Sequence, residues 1–202
     1  MSEALATFIS FFAVIDPIGT VPVFIAVTRR YDARTKRRIA LRATLVAAAI
    51  LVFFVIAGEF ILGALDIPLA AFQVAGGIVL FLFALSMIFG ESKPEREIRM
   101  VADGRETAIF PLAVPSIAGP GAMLAAVLWT ENAQYTLLEQ ALTTAIMLAV
   151  LLVGLLLLLG ASWVQRVIGD GGASVISRVM GLILSSVAVA NVLAGLKAYF
   201  AL

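Results

Sequence analysis

Two short segments rich in proline and glycine carry the residues best suited to bind a small molecule. They are Asp16-Pro17-Ile18-Gly19-Thr20-Val21-Pro22 and Pro111-Leu112-Ala113-Val114-Pro115-Ser116-Ile117-Ala118-Gly119-Pro120-Gly121. Each lies within a long apolar stretch. Proline lacks a backbone donor and clashes with the preceding turn, while glycine adds freedom, so both segments are predicted to interrupt helices.

Interrupted helices inside a membrane expose peptide groups that can bind charged ligands. The positive N-terminal end of a half-helix suits a carboxylate, and free carbonyls suit an ammonium group or a cation. The pattern therefore favours a zwitterionic ligand. The candidate substrate-binding residues are Asp16, Pro17, Gly19, Thr20, Pro115, Ser116, Gly119, Pro120 and Gly121.

Two polar residues within the apolar stretches are candidates for ion coupling, Asp16 and Asn191. An ionisable group at membrane depth indicates a functional site. Asp16 has two compatible roles: it can cap a helix that begins at Pro17, or it can contact substrate or a proton. Asn191 can instead form a helix–helix hydrogen bond. Glu59, near the end of its stretch, is interpreted as an interfacial carboxylate.

The elements that must position these residues are transmembrane helices. Of the 202 residues, 62% are hydrophobic and 13% charged, against about half and a quarter in soluble domains. A helix spans the bilayer core with about 20 apolar residues, and the first such stretch is predicted to be retained, because no basic segment of a signal peptide precedes it. Six stretches qualify, at Ala4–Thr28, Ala43–Leu65, Pro68–Gly90, Ala108–Thr130, Ala141–Trp163 and Val179–Leu202.

The distribution of lysine and arginine predicts the orientation. With six spans, thirteen of the fourteen basic residues fall in loops on one side, and only Lys197 lies on the other. Basic loops stay in the cytoplasm, so we expect an inner-membrane protein with both termini outside. The basic residues between the first two spans are Arg29, Arg30, Arg34, Lys36, Arg37, Arg38 and Arg42.

Internal similarity predicts two inverted halves. The third and sixth spans share identical residues at an offset of 105 positions, for example Gly76 and Gly181. The two interrupted segments lie near the same offset, in the first span of each half. Since three spans end on the opposite side, the second half enters the membrane inverted. The predicted organisation is a first repeat over 1–90, a cytoplasmic linker over 91–107 and a second repeat over 108–202.

Composition also excludes several classes of chemistry. The chain has no cysteine and no histidine, which removes thiol nucleophiles, disulfides, haem, ordinary zinc sites and histidine acid–base catalysis. No nucleophile and base can be paired within the spans, so an enzyme is least favoured. We expect no cofactor, no metal and no nucleic-acid partner. Small-residue helix faces permit a homo-oligomer without requiring one.

The ordered motifs resemble those of the MarC family, also called UPF0056 or the neutral amino acid transporter family. The resemblance covers nearly the whole chain. It is carried by Asp16-Pro17-Ile18-Gly19, Phe72-Gln73-Val74-Ala75-Gly76-Gly77, the segment from Pro111 to Gly121 and Ser177-Arg178-Val179-Met180-Gly181-Leu182. It implies a six-span secondary carrier, and an archaeal relative, SnatA, is regarded as transporting small neutral amino acids.

The sequence therefore favours a secondary transporter of glycine- or alanine-like amino acids or related metabolites, coupled to H⁺ or Na⁺, with export as one open direction. Two alternatives remain. A non-transporting regulatory or assembly protein would act through the basic segment Arg29 to Arg38 and would not require the interrupted helices. A channel would conduct without saturation by substrate.

Overall fold

The computed structural model describes residues 2–89 and 108–201. The predicted linker over 91–107 lies outside these residues. The described chain is helical, as the apolar stretches predict. Its segments are α1 (Ser2–Ile15), α2 (Pro17–Thr28), α3 (Ala33–Ala64), α4 (Leu69–Phe89), α5 (Ala108–Ile117), α6 (Pro120–Leu128), α7 (Leu137–Leu159) and α8 (Ala161–Tyr199).

Five stretches of helix are long and apolar enough to cross a membrane, and α5 with α6 makes a sixth if this bent pair is one span. The five are Glu3–Thr28, Ala33–Ala64, Leu69–Phe89, Leu137–Leu159 and Ser174–Tyr199. The axes of α5 and α6 meet at 58°. The predicted all-α class is confirmed for residues 2–89 and 108–201, which contain five or six candidate membrane spans.

The basic segment before the second span is mostly helical, whereas its charges predict a loop. Helix α3 begins at Ala33 and is 32 residues long, or about 48 Å at 1.5 Å per residue, well beyond the roughly 30 Å of hydrocarbon. Asp32 starts it early: its carboxylate accepts from the N–H of Arg34 at 3.1 Å and the hydroxyl of Thr35 at 2.5 Å. The first turns of α3 therefore carry the positive charges beyond the apolar span.

Helices α4 and α8 pack closely and antiparallel. A Cβ built on Gly195 would lie 2.8 Å from the carbonyl oxygen of Ala70, near the start of α4. A Cβ built on Gly181 would lie 3.0 Å from the carbonyl oxygen of Ala84, near the end of α4. Residue numbers thus rise along one helix as they fall along the other, and glycine permits the approach.

The segments α1–α2 and α5–α6 also run antiparallel. Phe11 of α1 meets Trp129, just after α6, edge to face with ring centroids 4.9 Å apart. Farther along the chain, Thr20 of α2 contacts Ser116 of α5 through hydroxyl oxygens 3.2 Å apart. The two interrupted segments therefore face each other inside the bundle.

Helix α6 runs parallel to α3, toward the end of α3 that is remote from its basic start. A Cβ on Gly58 would lie 2.5 Å from a methyl carbon of Val127. Beyond α6, Glu59 Oε2 accepts from the backbone N–H of Asn132 at 2.9 Å and from its Nδ2 at 2.6 Å. The loop after α6 and the end of α3 therefore lie on the same side of the bundle.

Candidate functional site

Asp16 is the junction between α1 and α2. It adopts a left-handed backbone conformation, with φ 49° and ψ 62°, which aspartate tolerates better than most residues. Its Oδ1 accepts from the N–H of Gly19 at 3.0 Å, and only 2% of Asp16 is exposed. The capping role is thus realised by a carboxylate that is buried within an apolar bundle.

Gly19 allows the carboxylate of Asp16 to lie over the first turn of α2. A Cβ built on Gly19 would overlap Asp16 Oδ2. Any side chain at position 19 would therefore displace the acceptor that caps the helix. The requirement for glycine here is steric, not a matter of backbone freedom.

The segment before α6 is distorted by its prolines. Phe110 and Val114, each followed by proline, have extended φ values of −128° and −131° within α5, because proline disfavours a helical conformation of the preceding residue. Helix α6 then begins at Pro120, with Gly119 as N-cap and no side-chain cap. The N-terminus of α6 thus lacks the carboxylate that α2 has in Asp16.

Thr20 and Ser116 bring the two interrupted segments together. The Thr20 hydroxyl lies 3.0 Å from the carbonyl oxygen of Asp16 and 3.4 Å from that of Ser116, and the Ser116 hydroxyl donates to Thr20 Oγ1 at 3.2 Å. Both residues are buried. Three of the predicted site residues therefore form one polar cluster within the bundle, with Ser116 lying 96 positions from Thr20 and 100 from Asp16 in the chain.

A narrow cleft of about 10 Å³, room for about one water-sized group, adjoins this cluster. Pro17 and Thr20 of α2, Thr44 of α3 and Gly154 of α7 contribute to its wall. The remaining lining is aliphatic, from Ile15, Ile117, Leu151, Leu155 and Leu158. The cleft is therefore largely apolar and has two threonines at its margin.

Thr44 is a buried polar residue that no pattern in the sequence singles out. It is 8% exposed, and its hydroxyl has no hydrogen-bond partner within residues 2–89 and 108–201. A lone threonine in an apolar span gives no sequence signal, because such residues usually bond to their own helix. Gly154 was missed for a similar reason, since small residues in spans ordinarily indicate packing.

The other predicted binding residues have structural contacts. Pro17 packs near Gly154, where an added Cβ would lie 3.6 Å from Pro17 Cβ. A Cβ on Gly121 would lie 2.8 Å from the side chain of Leu80. A Cβ on Gly119 would come within 2.9 Å of the carbonyl oxygen of Pro115. These residues shape the break around the polar cluster.

Asn191 lies between α4 and α8 and bonds within that contact. Its Oδ1 accepts from Gln73 Nε2 at 3.4 Å, and its Nδ2 donates to the carbonyl of Val187 at 3.1 Å. Neither bond reaches the cluster around Asp16. The structure thus places the two candidate coupling residues in different hydrogen-bonded groups.

A second acidic group lies in the loop after α6, outside the spans. Burial, and to a smaller extent repulsion from Glu59, raise the pKa of Glu131 above 4.5.

In the part of the chain that the structure covers, no three acidic side chains are grouped so as to hold a metal ion.

Comparison with known proteins places this architecture in a family. The family described as MarC family integral membrane protein matches residues 1–200. No solved structure matches the chain. Among curated proteins, UPF0056 membrane protein MJ1677 of Methanocaldococcus jannaschii is 35% identical and the alignment covers 96% of this chain and 95% of that protein.

Two Escherichia coli proteins are similar over comparable lengths. UPF0056 membrane protein YhcE is 33% identical, over 96% of this chain and 91% of its own length. UPF0056 inner membrane protein YhgN is 32% identical, over 98% of each chain. With a family match over almost every residue and relatives of full length, the chain belongs to the MarC family of integral membrane proteins.

Proposed function

We propose that this protein is a secondary transporter of small neutral amino acids, or of related small metabolites, driven by an H⁺ or Na⁺ gradient. One observation carries the proposal: the buried carboxylate of Asp16 lies at a helix junction joined through Thr20 to the second interrupted segment at Ser116. A buried acid at a chain break costs stability in a membrane, which favours a functional role. The proposal includes no enzymatic step.

The two junctions differ in the charge they can accept. The N–H of Gly19 already donates to Asp16, so the start of α2 is occupied by the protein's own carboxylate. Helix α6 has no side-chain cap at its N-terminus. A substrate carboxylate would therefore bind at the start of α6, while its ammonium group or the coupling ion binds Asp16.

The packing supports a pair of inverted three-helix repeats as the moving parts. Helices α4 and α8 are antiparallel, as are α1–α2 and α5–α6, which are the relations that an inverted repeat requires. The structural counterpart of Asp16-Pro17 is Gly119-Pro120, since each residue pair begins a half-helix. Rocking of one repeat against the other would alternate access to the cluster between them.

The bent pair α5–α6 fits a sixth, broken span better than a re-entrant loop. Its end reaches Glu59 through Asn132, at the end of α3 remote from the basic start. With six spans, the charge distribution places both termini outside the inner membrane.

Transport by purified protein in liposomes tests the proposal. Wild-type protein is expected to accumulate labelled glycine, alanine or serine under an H⁺ or Na⁺ gradient, with saturation by substrate. Asp16→Asn should abolish coupled accumulation while preserving the fold, because asparagine also caps helices and tolerates a left-handed backbone. Asp66→Asn is the matched control, since Asp66 also has a positive φ, 56°, but is exposed.

The outcomes separate this function from the alternatives. Flux that does not saturate would indicate a channel. Absence of uptake under both gradients, together with loss of cellular function when the basic segment is neutralised, would indicate a regulatory or assembly role. Full coupling in Asp16→Asn would remove the carboxylate from the mechanism.

A further inference from the structure

The first turns of α3 carry a row of arginines on one face. Arg34, Arg38 and Arg42 follow one another at intervals of four residues, so they are neighbours along the helix surface, and all three are exposed. At 100° per residue, the buried residues of α3 fall on the opposite side of the helix. They are Ala40, Ala43, Thr44, Ala47, Leu51, Gly58 and Leu62. The row of arginines therefore faces away from the bundle.

The arginine row continues into the apolar outer face of the span. Eighteen residues make five turns of helix, so Ile56 lies directly in line with Arg38, and Phe60 with Arg42. Ile56 is 75% exposed and Phe60 77% exposed, and Leu45, on the same face, is 67% exposed. Large apolar side chains that the bundle leaves uncovered on a membrane span contact acyl chains. The same face of α3 thus passes from lipid-contacting side chains to arginines.

The change from leucine to arginine gives the depth of the row. Leu41, which is 44% exposed, lies between Arg38 and Arg42, so the edge of the hydrocarbon falls near this turn. In a helix close to the membrane normal, Arg38 lies about 6 Å and Arg34 about 12 Å from Arg42 along the axis. Headgroups extend about 5–7.5 Å beyond the hydrocarbon on each side. Since arginine side chains reach toward the interface, the row lies at the depth of the lipid phosphates.

No described side chain neutralises the row. Asp32 is the only acidic residue between Asp16 and Glu59 in the sequence, and its carboxylate already accepts from the N–H of Arg34 and the hydroxyl of Thr35. Like charges four residues apart on a helix repel each other. A bound anion would relieve this repulsion.

We propose that Arg34, Arg38 and Arg42 bind the headgroups of anionic phospholipids in the leaflet that surrounds the start of α3. A guanidinium group donates two parallel hydrogen bonds to a phosphate, and basic residues next to a span attract anionic lipid. Retention of basic loops in the cytoplasm requires charge but no particular face of a helix. A soluble acidic partner would not require the arginines to lie in line with the lipid-contacting residues. The inference is independent of what the protein transports.

Lipid titration of the purified full-length protein in detergent micelles tests the proposal. Phosphatidylglycerol, which is anionic, should raise the thermal unfolding midpoint, because a ligand of the folded state stabilises it. Phosphatidylcholine with the same acyl chains, which has no net charge, should raise the midpoint less. The effect of phosphatidylglycerol should shrink as the salt concentration rises, because salt screens exposed charges.

Arg38→Gln and Lys36→Gln are a matched pair of variants. Each removes one positive charge from the same turn of α3, but Lys36 lies on the side of the helix opposite Arg38 and is only partly exposed. Arg38→Gln should raise the phosphatidylglycerol concentration for half of the midpoint shift about fivefold, the effect of one charge at a membrane surface. Lys36→Gln should change this concentration less than about twofold. Replacing all three arginines of the row by glutamine should abolish the difference between the two lipids.

The lipid-free midpoint separates binding from folding. It should not fall in Arg38→Gln, because the substitution reduces repulsion within the row. Equal stabilisation of the wild type by both lipids would overturn the proposal, as would equal weakening by Arg38→Gln and Lys36→Gln. An equal shift with inorganic phosphate at the same concentration would show that the row binds a soluble phosphate group, and would overturn its assignment to a lipid.

Discussion

The hydroxyl of Ser116 donates to the hydroxyl of Thr20 across 3.2 Å, and this bond joins two chain breaks that are 96 positions apart. Thr20 also lies within hydrogen-bond distance of the carbonyl oxygen of Asp16. The carboxylate-bearing junction between α1 and α2 and the proline-distorted segment α5 are therefore linked through Thr20. Movement of α2 relative to α5 must break or rearrange this link.

Replacing Thr20 by valine should impair transport more than stability. Valine keeps the shape but removes the bonds to Asp16 and Ser116, which should cost about 1 kcal/mol of unfolding free energy and at least about tenfold in transport rate, since the two segments lose their register. Thermal unfolding and proteoliposome uptake measure the two effects. Thr130→Val is the control, because that hydroxyl, just beyond α6, donates only locally, to the carbonyl of Ala126 four residues earlier. Equal effects of the two variants on uptake would contradict the linking role.

Replacing Gly19 by alanine should destabilise the protein, contrary to the usual effect of alanine in a helix. The new Cβ overlaps the Asp16 carboxylate, so the cap of α2 is lost at about 0.5–2 kcal/mol. Gly63→Ala, where no atom lies within 4 Å, should instead stabilise by up to about 1 kcal/mol. Thermal unfolding of the two variants in the same detergent measures this difference. A Gly19→Ala variant as stable as Gly63→Ala would show that Asp16 moves without cost.

The two halves of the site differ in how far the sequence predicts them. The breaks at Pro17 and Pro120 follow from proline and glycine chemistry, and the capping by Asp16 follows from its place before a proline. The contact of Thr20 with Ser116 depends on how two distant segments pack, which local patterns do not encode. That the hydroxyl of Thr44 finds no partner in the described part of the chain is likewise a property of packing, because the sequence around Thr44 resembles that around any threonine in an apolar helix.

The fold was predictable to a similar degree. Apolar length and charge predict the spans within a few residues, but the helical start of α3 at Ala33 depends on the Asp32 cap, which overrides the expectation that a charged segment is a loop.

Neutralising Glu131 should stabilise the protein in a pH-dependent manner. Burial and repulsion from Glu59 raise the pKa of Glu131 above 4.5, so the folded state binds this proton more tightly than the unfolded state. Protonated Glu131 therefore contributes to the free energy of unfolding. This contribution is fully present below pH 4.5 and is lost as the pH rises through the pKa of Glu131 in the folded state. Glu131→Gln should unfold at a higher temperature than wild type at neutral pH, and the difference should shrink on acidification. A difference that is constant from pH 4 to pH 8 would contradict this assignment.

A proposed sixth span formed by α5 and α6 predicts which loops face the outside, and the absence of native cysteine makes this prediction simple to test. Single cysteines at Ala33, Ala64 and Ala133 probe the start of α3, its end and the loop after α6, and all three positions are exposed. If α5–α6 crosses the membrane, a membrane-impermeant thiol reagent applied to intact cells should label Ala64→Cys and Ala133→Cys. The basic start of α3 is expected on the inside, so Ala33→Cys should react only after permeabilisation. If Ala133→Cys, like Ala33→Cys, reacts only after permeabilisation while Ala64→Cys reacts in intact cells, α5–α6 is a re-entrant loop. That result would remove the inverted repeat from the proposed mechanism.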